Sequence, residues 1–228
     1  MQALRSRFVP LFALMLLGAS TLARAERPLN VDDAGTLDKG GVKLEAGWSK
    51  DDEARGFEAA AGFGPVDNLE LEVSLARIRD HAASPVATIH GQGLAIKWVP
   101  LQSETGLSAG LKYEFGRDRV EGESTRVHSL TALATWTFEG GQRVHANLGR
   151  EITREQGEKE GVNTWGVAVD LPLTEQLTFV AETFGAEHSG PDRAIGLRYE
   201  LAEGLKLSAA LGRGNDRSFA NAGIAWEF

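Results

Sequence analysis

Two adjacent carboxylates, Asp32 and Asp33 in NVDDAGT, are the first residues that could do chemistry. Such a pair could hold a cation or work as acid and base. Their neighbours are turn formers, so the simpler role is to accept backbone amide hydrogen bonds in an Asx-type turn. His128–Ser129 and His145/Asn147 place an imidazole beside a hydroxyl or an amide. Nucleophilic catalysis needs base and nucleophile within hydrogen-bond reach. On a strand, His128 and Ser129 face opposite ways, and His145 and Asn147 share a face with no serine that spacing assigns to them. His81, His90, His128 and His188 fall near charged connections, where an imidazole could bind metal or sense pH; solvated histidines are the plainer reading. With no cysteine in the chain, thiolate catalysis, thiolate metal sites and disulfides are removed. No catalytic residue, no metal and no cofactor is expected.

Most of the remaining charge follows one rule. In LELEVSLA, Leu69, Leu71, Val73 and Leu75 take one parity and Glu70, Glu72, Ser74 and Ala76 the other. Successive strand residues point to opposite faces, so such a segment has one greasy and one wet face. GLKYEF, WGVAVDL, LRYEL and LKLSAALG repeat the design, with Lys112, Glu114, Asp170, Arg198, Glu200 and Lys206 on the wet side. Burying that many unpaired charges is prohibitive, so they must face water or one another.

These segments need elements to position them, and the pattern supplies twelve strands: 41–50, 55–64, 68–79, 89–99, 106–117, 126–139, 142–153, 163–171, 177–188, 193–201, 205–213 and 217–228. Their lengths suit tilted strands crossing a bilayer, and an even number suits a bacterial barrel. Connections after even strands are turn-like, while most after odd strands are longer and charged, such as DRVEGEST and REQGEKEGVN. Barrels of this kind have short periplasmic turns and longer outer loops. The fold class is therefore all-β: a transmembrane, antiparallel, up-and-down β-barrel of about twelve strands with periplasmic N- and C-termini. Trp48, Trp98, Trp136, Trp165, Tyr199 and Trp226 fall on the apolar parity toward strand ends, as the aromatic girdles of a lipid-facing surface require. Gly47, Gly62, Gly93, Gly110, Gly149 and Gly166 take the inward parity, where they relieve crowding or permit bends.

The start of the chain agrees. Arg5 and Arg7, an apolar run from Phe8 to Ala19 and then Ala23-Arg24-Ala25 form a secretory signal segment. Its apolar run is short for a membrane span, which takes about 20 residues. Expected boundaries are signal peptide 1–25, periplasmic segment 26–40 and barrel 41–228. Removing Arg5, Arg7 and Arg24 takes the formal charge from −8 to −11. A chain this acidic is no candidate for nucleic-acid binding.

The opening RPLNVDDAGTLDKGGVKLEAGW resembles that of a putative outer-membrane family associated with the meta-pathway of phenol degradation. The resemblance rests on Arg27-Pro28-Leu29, Asp32-Asp33, Gly35-Thr36, Gly40 or Gly41 and Leu44-Glu45, and FGPVDNLELEV extends it to about residue 75. It implies an outer-membrane barrel that helps to move small molecules. A phenol substrate has no support in the residues.

The expected function is a narrow passive channel for small solutes, with Glu70, Glu72, Lys112, Glu114, Asp170, Arg198, Glu200 and Lys206 lining the lumen. Excess acid favours cations. A plugged barrel with a structural or surface-binding role is the alternative, and an outer-membrane hydrolase the outsider. Twelve strands lie between filled barrels and wide porins, so the lumen is either a charged pore or a salt-bridged plug. Expected partners are outer-membrane lipid, lipopolysaccharide and the barrel-assembly machinery, for a monomer. NAGIAWEF, ending on Trp226 and Phe228, resembles the signal that machinery reads; by pairing with the first strand it also removes the free edge.

Overall fold

The computed structural model describes residues 27–215 and 217–228; the expected signal segment 1–25 lies outside the described residues. Twelve strands follow one another: β1 Val42–Lys50, β2 Ala54–Val66, β3 Leu69–Asp80, β4 Ala87–Leu101, β5 Gly106–Val120, β6 Glu123–Thr137, β7 Arg143–Glu155, β8 Glu158–Pro172, β9 Leu177–Ala186, β10 Asp192–Ala202, β11 Leu205–Gly214 and β12 Arg217–Glu227. Each pairs antiparallel with its sequence neighbours, and β1 pairs with β12 to close the barrel. At the seam Lys43 stands opposite Glu227, and the Val42 and Phe228 backbones exchange hydrogen bonds of 2.8 and 2.9 Å. Closure leaves no unpaired edge, which is why the final residues are a strand and not a tail.

Period two sets the two faces. Along β5, Lys112 and Glu114 are buried while Leu111 and Tyr113 are exposed. The same inversion holds round the circle, so the apolar side chains form the outer surface and the charges the inner one. Trp98, Trp136, Trp165, Tyr199 and Trp226 are exposed on the outer face, and Trp48 is half-buried there. β8 runs well past Trp165, which stands at the strand's midpoint and not toward its end. Beyond it the outward positions are Asn163, Gly161 and Lys159, so it marks the limit of the apolar band.

That extension corrects the reading of REQGEKEGVN as a long loop. β7 and β8 continue to Glu155 and Glu158, joined by Gln156 and Gly157, both at positive φ (46° and 91°). β5 and β6 likewise meet at Glu121 and Gly122, with φ of 49° and 95°. Two central residues at positive φ make the turn whose twist matches paired strands. The charged connections are thus largely ribbon rising past the apolar band.

Candidate functional site: a segment threaded through the barrel

Residues 27–37, part of the expected periplasmic segment, lie within the barrel. Residues 27–37 bond or pack against side chains from eleven of the twelve strands. Only a chain inside the cylinder can touch strands all round it. From Arg27, at the level of the cross-strand pair Gly47 and Gly223, it descends toward the mouth where β1 starts and β12 ends, then turns at Asp38–Gly41 into β1.

An extended segment carries unpaired amides and carbonyls, and a buried one must have each satisfied. Here the wall's side chains do so. Glu182 of β9 accepts from Asn30 N (2.7 Å), Asn30 Nδ2 (2.7 Å) and Val31 N (2.9 Å). Asn147 of β7 forms a two-way pair with Asp32, its Oδ1 accepting from the amide at 2.7 Å and its Nδ2 donating to the carbonyl at 2.9 Å. Thr135 Oγ1 accepts from Ala34 N at 2.8 Å, and Glu70 accepts from Leu37 N at 3.2 Å. Arg198 Nε donates to Arg27 O, and Asn221 to Pro28 O, each at 3.0 Å.

Charge fixes the register. The Asp32 carboxylate divides between Lys97 Nζ and Lys112 Nζ, both at 2.8 Å. Asp33 takes Lys97 at 2.9 Å and Arg143 at 3.7 Å. It also accepts from Gly35 N at 3.2 Å, so the expected Asx-type turn is present on Asp33 while Asp32 is held by cations. Arg27 reaches Glu58 at 3.1 Å and Glu45 at 3.8 Å. Burial alone would raise the Asp32 and Asp33 pKa values. The ammonium groups of Lys112 and Lys97 beside Asp32, and Lys97 with the Arg143 guanidinium beside Asp33, outweigh it and hold both carboxyls below the usual range. Two small apolar contacts complete the fit: Leu29 and Val31 against Ala168, Val180 and Phe184, and Ala34 against Val99 and Leu133.

The residues expected along the lumen fall into four groups on the inner wall. Glu70 and Glu72 meet at Lys43, at 2.9 and 3.5 Å. Lys112 joins Glu114 at 2.8 Å, and Asp170 joins Arg198 at 3.0 Å and Arg143 at 2.6 Å. Glu200 and Lys206 are half-buried near the mouth; Lys206 meets Glu227 at 3.7 Å, and Glu200 accepts from Gly204 N at 3.3 Å. Inward parity also places Lys97 and Glu182 on this wall, whereas sequence reasoning gave Arg27 and Arg143 no role in the lumen. One signal was available: a Cβ built at Gly47 would overlap the Arg27 guanidinium, and one at Gly166 would come within 2.6 Å of Val31 Cγ2. Inward glycine here clears a path for the segment.

His145, only 1 % exposed, stands between Thr135 Oγ1 at 2.9 Å and Asp170 at 3.6 Å. The arrangement has the composition of a hydroxyl–imidazole–carboxylate chain. Yet the hydroxyl is capped by Ala34 N–H and Asp170 is clamped by two arginines, so these groups brace the segment. His128 faces outward and makes a 2.8 Å hydrogen bond with Tyr113 Oη, while Ser129 faces in. On the loop side of the segment lies a cavity of about 330 Å³, its lining including Asn30, Lys112, Glu114, Asn147, Glu151 and Arg217.

The barrel is similar in fold to several solved outer-membrane proteins. The COG4313 outer membrane channel from Pseudomonas putida F1 matches at TM-score 0.64 and 9 % identity, over 86 % of this chain and 98 % of that one. The KdgM porin in complex with disordered oligogalacturonate matches at TM-score 0.62 and 12 % identity, over 82 % and 99 %. Outer membrane phospholipase A from Escherichia coli matches at TM-score 0.50 and 10 % identity, over 91 % and 96 %. Among curated proteins no sequence match is found. By the family model that matches residues 13–225, the chain belongs to the family described as "Uncharacterised conserved protein UCP029691".

Proposed function

We propose that the protein is an outer-membrane channel for small polar or amphipathic solutes, whose conductance is governed by its own N-terminal segment. The observation that carries this reading is the polar chemistry of the plug. Residues 27–37 are held mainly by ion pairs and hydrogen bonds to the wall, with only two small apolar contacts. Water can replace such bonds one at a time, whereas an apolar plug would leave a dry seal. The cavity of about 330 Å³ beyond it suits a small solute. Likeness to solved channels supports the same function, and the exposed apolar belt supports the membrane setting. In this setting the charged ribbons face outward, and the rim where β1 starts and β12 ends faces the periplasm. With cleavage after Ala25, Arg27 inside the lumen is the second residue of the mature chain.

A permanently closed barrel with a structural role is the competing reading, favoured by the number of bonds that hold the plug. Planar-bilayer recording of refolded, heat-modifiable protein separates the two. Wild type is expected to give brief, small steps, and a variant lacking residues 27–37 long and larger ones. Glu70→Gln and Lys112→Gln should change ion selectivity. Silence of correctly refolded wild type at every voltage would overturn the channel in favour of the closed barrel.

A further inference from the structure

The outer face differs between its two rims. At the chain-terminus rim the strands carry no outward lysine or arginine among the described residues; their basic side chains there, such as Lys97, Arg143 and Arg198, point inward, and exposed Lys39 sits in a turn. The loop-end rim is basic. Arg55 stands directly opposite Arg79 in the β2–β3 register, and Arg117 opposite Arg126 in β5–β6. Arg126 in turn faces Arg154, and Arg193 of β10 faces Arg213 of β11. Like charges directly opposed on one sheet face repel. A sheet that repeats the arrangement four times toward its loop ends is built around an anion that these pairs do not find within the chain.

One of these pairs caps a groove. Between β8 and β11 the outer surface is concave, because β9 presents the short Ala181 and Thr183 between longer neighbours. The depression is shallow and open, about 680 Å³, bordered by Val167, Val169, Ile195 and Leu211, with Arg193 and Arg213 at its loop end. Both arginines are exposed and make no ion pair among the described residues. An apolar trough ending in two guanidinium groups matches a ligand with an acyl chain below a phosphate. Arginine's planar fork suits phosphate oxygens.

The geometry points to a lipid site: the β8–β11 groove binds a phosphorylated, acylated lipid of the outer leaflet, its phosphate on Arg193 and Arg213 and an acyl chain along Ala181. The site rests on the outer-membrane reading and gives that partner a place on the barrel. It also sets the loop end toward the leaflet that carries the phosphate.

The test uses full-length mature protein in a zwitterionic detergent, with bound lipid counted by native mass spectrometry during titration with diphosphoryl lipid A, dephosphorylated lipid A and inorganic phosphate. Lipid A should bind with defined stoichiometry, and the dephosphorylated form about tenfold more weakly or worse. Arg193→Gln/Arg213→Gln should weaken binding similarly, Arg193→Lys/Arg213→Lys should retain most of it, and Ala181→Trp should block it by filling the trough. Arg55→Gln/Arg79→Gln, a pair on β2–β3 that does not line this groove, should leave binding within threefold. Equal losses from the two Gln pairs would overturn the site in favour of a diffuse basic field. Displacement of lipid A by equimolar inorganic phosphate would overturn the acyl contact, and unchanged binding in Arg193→Gln/Arg213→Gln would overturn the proposal outright. Heat-modifiable mobility and insertion into phosphatidylcholine vesicles are scored separately for every variant. Failure there would count against the membrane barrel and not against the groove.

Discussion

Neighbouring residues of one strand live in opposite media. Lys112 is 5 % exposed and bound to Asp32 and Glu114, while Tyr113, the next residue, is 42 % exposed on the outer face. The inner wall obeys the rule for buried charge: among the described residues its fully buried groups, from Lys43 to Arg198, are ion-paired or hydrogen-bonded, because an unsatisfied one would be prohibitive. The outer wall inverts the usual burial of apolar side chains, which is stable only where the solvent is itself apolar. Two kinds of substitution therefore test the comparison: charge taken from the inside, and charge added to the outside.

The inside should respond most. Replacing Asp32 and Asp33 by asparagine keeps their volume and removes two negative charges from among Lys97, Lys112 and Arg143. Leaving buried cations without their partners costs about 3–5 kcal/mol, and release of the segment into water relieves it. The expected outcome is a plug open at least 100-fold more often, read as protease clipping within residues 27–37 and as longer conductance events. The barrel's thermal transition should move much less, since no strand hydrogen bond is involved. If the segment stays protected, its ion pairs are not what holds it.

Outside, Leu75→Arg puts a cation on an exposed apolar position of β3 opposite Ala59 and Gln92. A charge at the midplane of a lipid-facing barrel costs about 2–4 kcal/mol. Folding free energy in bilayers should fall by that amount while conductance stays unchanged. Arg79→Leu, at the basic rim of the same strand, should cost little. A tolerated Leu75→Arg would mean that this face does not meet lipid.

The same contrast explains what could be read from residue order. Alternation assigns each side chain to one of two faces, so the twelve strands, their closure through β12 and the inward set from Glu70 to Lys206 were all legible. It cannot say what fills the space inside. Arg27 and Lys97 are far apart in the chain, and nothing in period two brings either to a particular depth. Gly47 and Gly166 recorded the segment's path, yet an inward glycine reads equally as a bend until its overlap with Arg27 or Val31 is known. The β7–β8 ribbon was hidden because both of its faces are wet. Glu158, Lys159 and Glu160 look like a loop, and only the two-residue turn at Gln156–Gly157 shows that pairing continues.

The smallest effect concerns protons. Asp32 and Asp33 are held below the ordinary carboxylate range by Lys97, Lys112 and Arg143, whereas in a released segment they titrate near the reference value of about 4. A group whose pKa is depressed in the bound state contributes stability that is fully present above the released-state value and is lost as pH falls through the bound one. Acidification from pH 7 to 5 should therefore leave the plug in place, with conductance and proteolysis of residues 27–37 unchanged. Below about pH 4 the protection should decline progressively, because the released segment takes up protons more readily than the bound one. Asp32→Asn/Asp33→Asn, already more open at pH 7, should show no further pH dependence in this range, since the groups that titrate are gone. Opening between pH 7 and 5 in wild type would place control in some other group, and the carboxylate–ammonium cluster would then be a fixed strut instead of a latch.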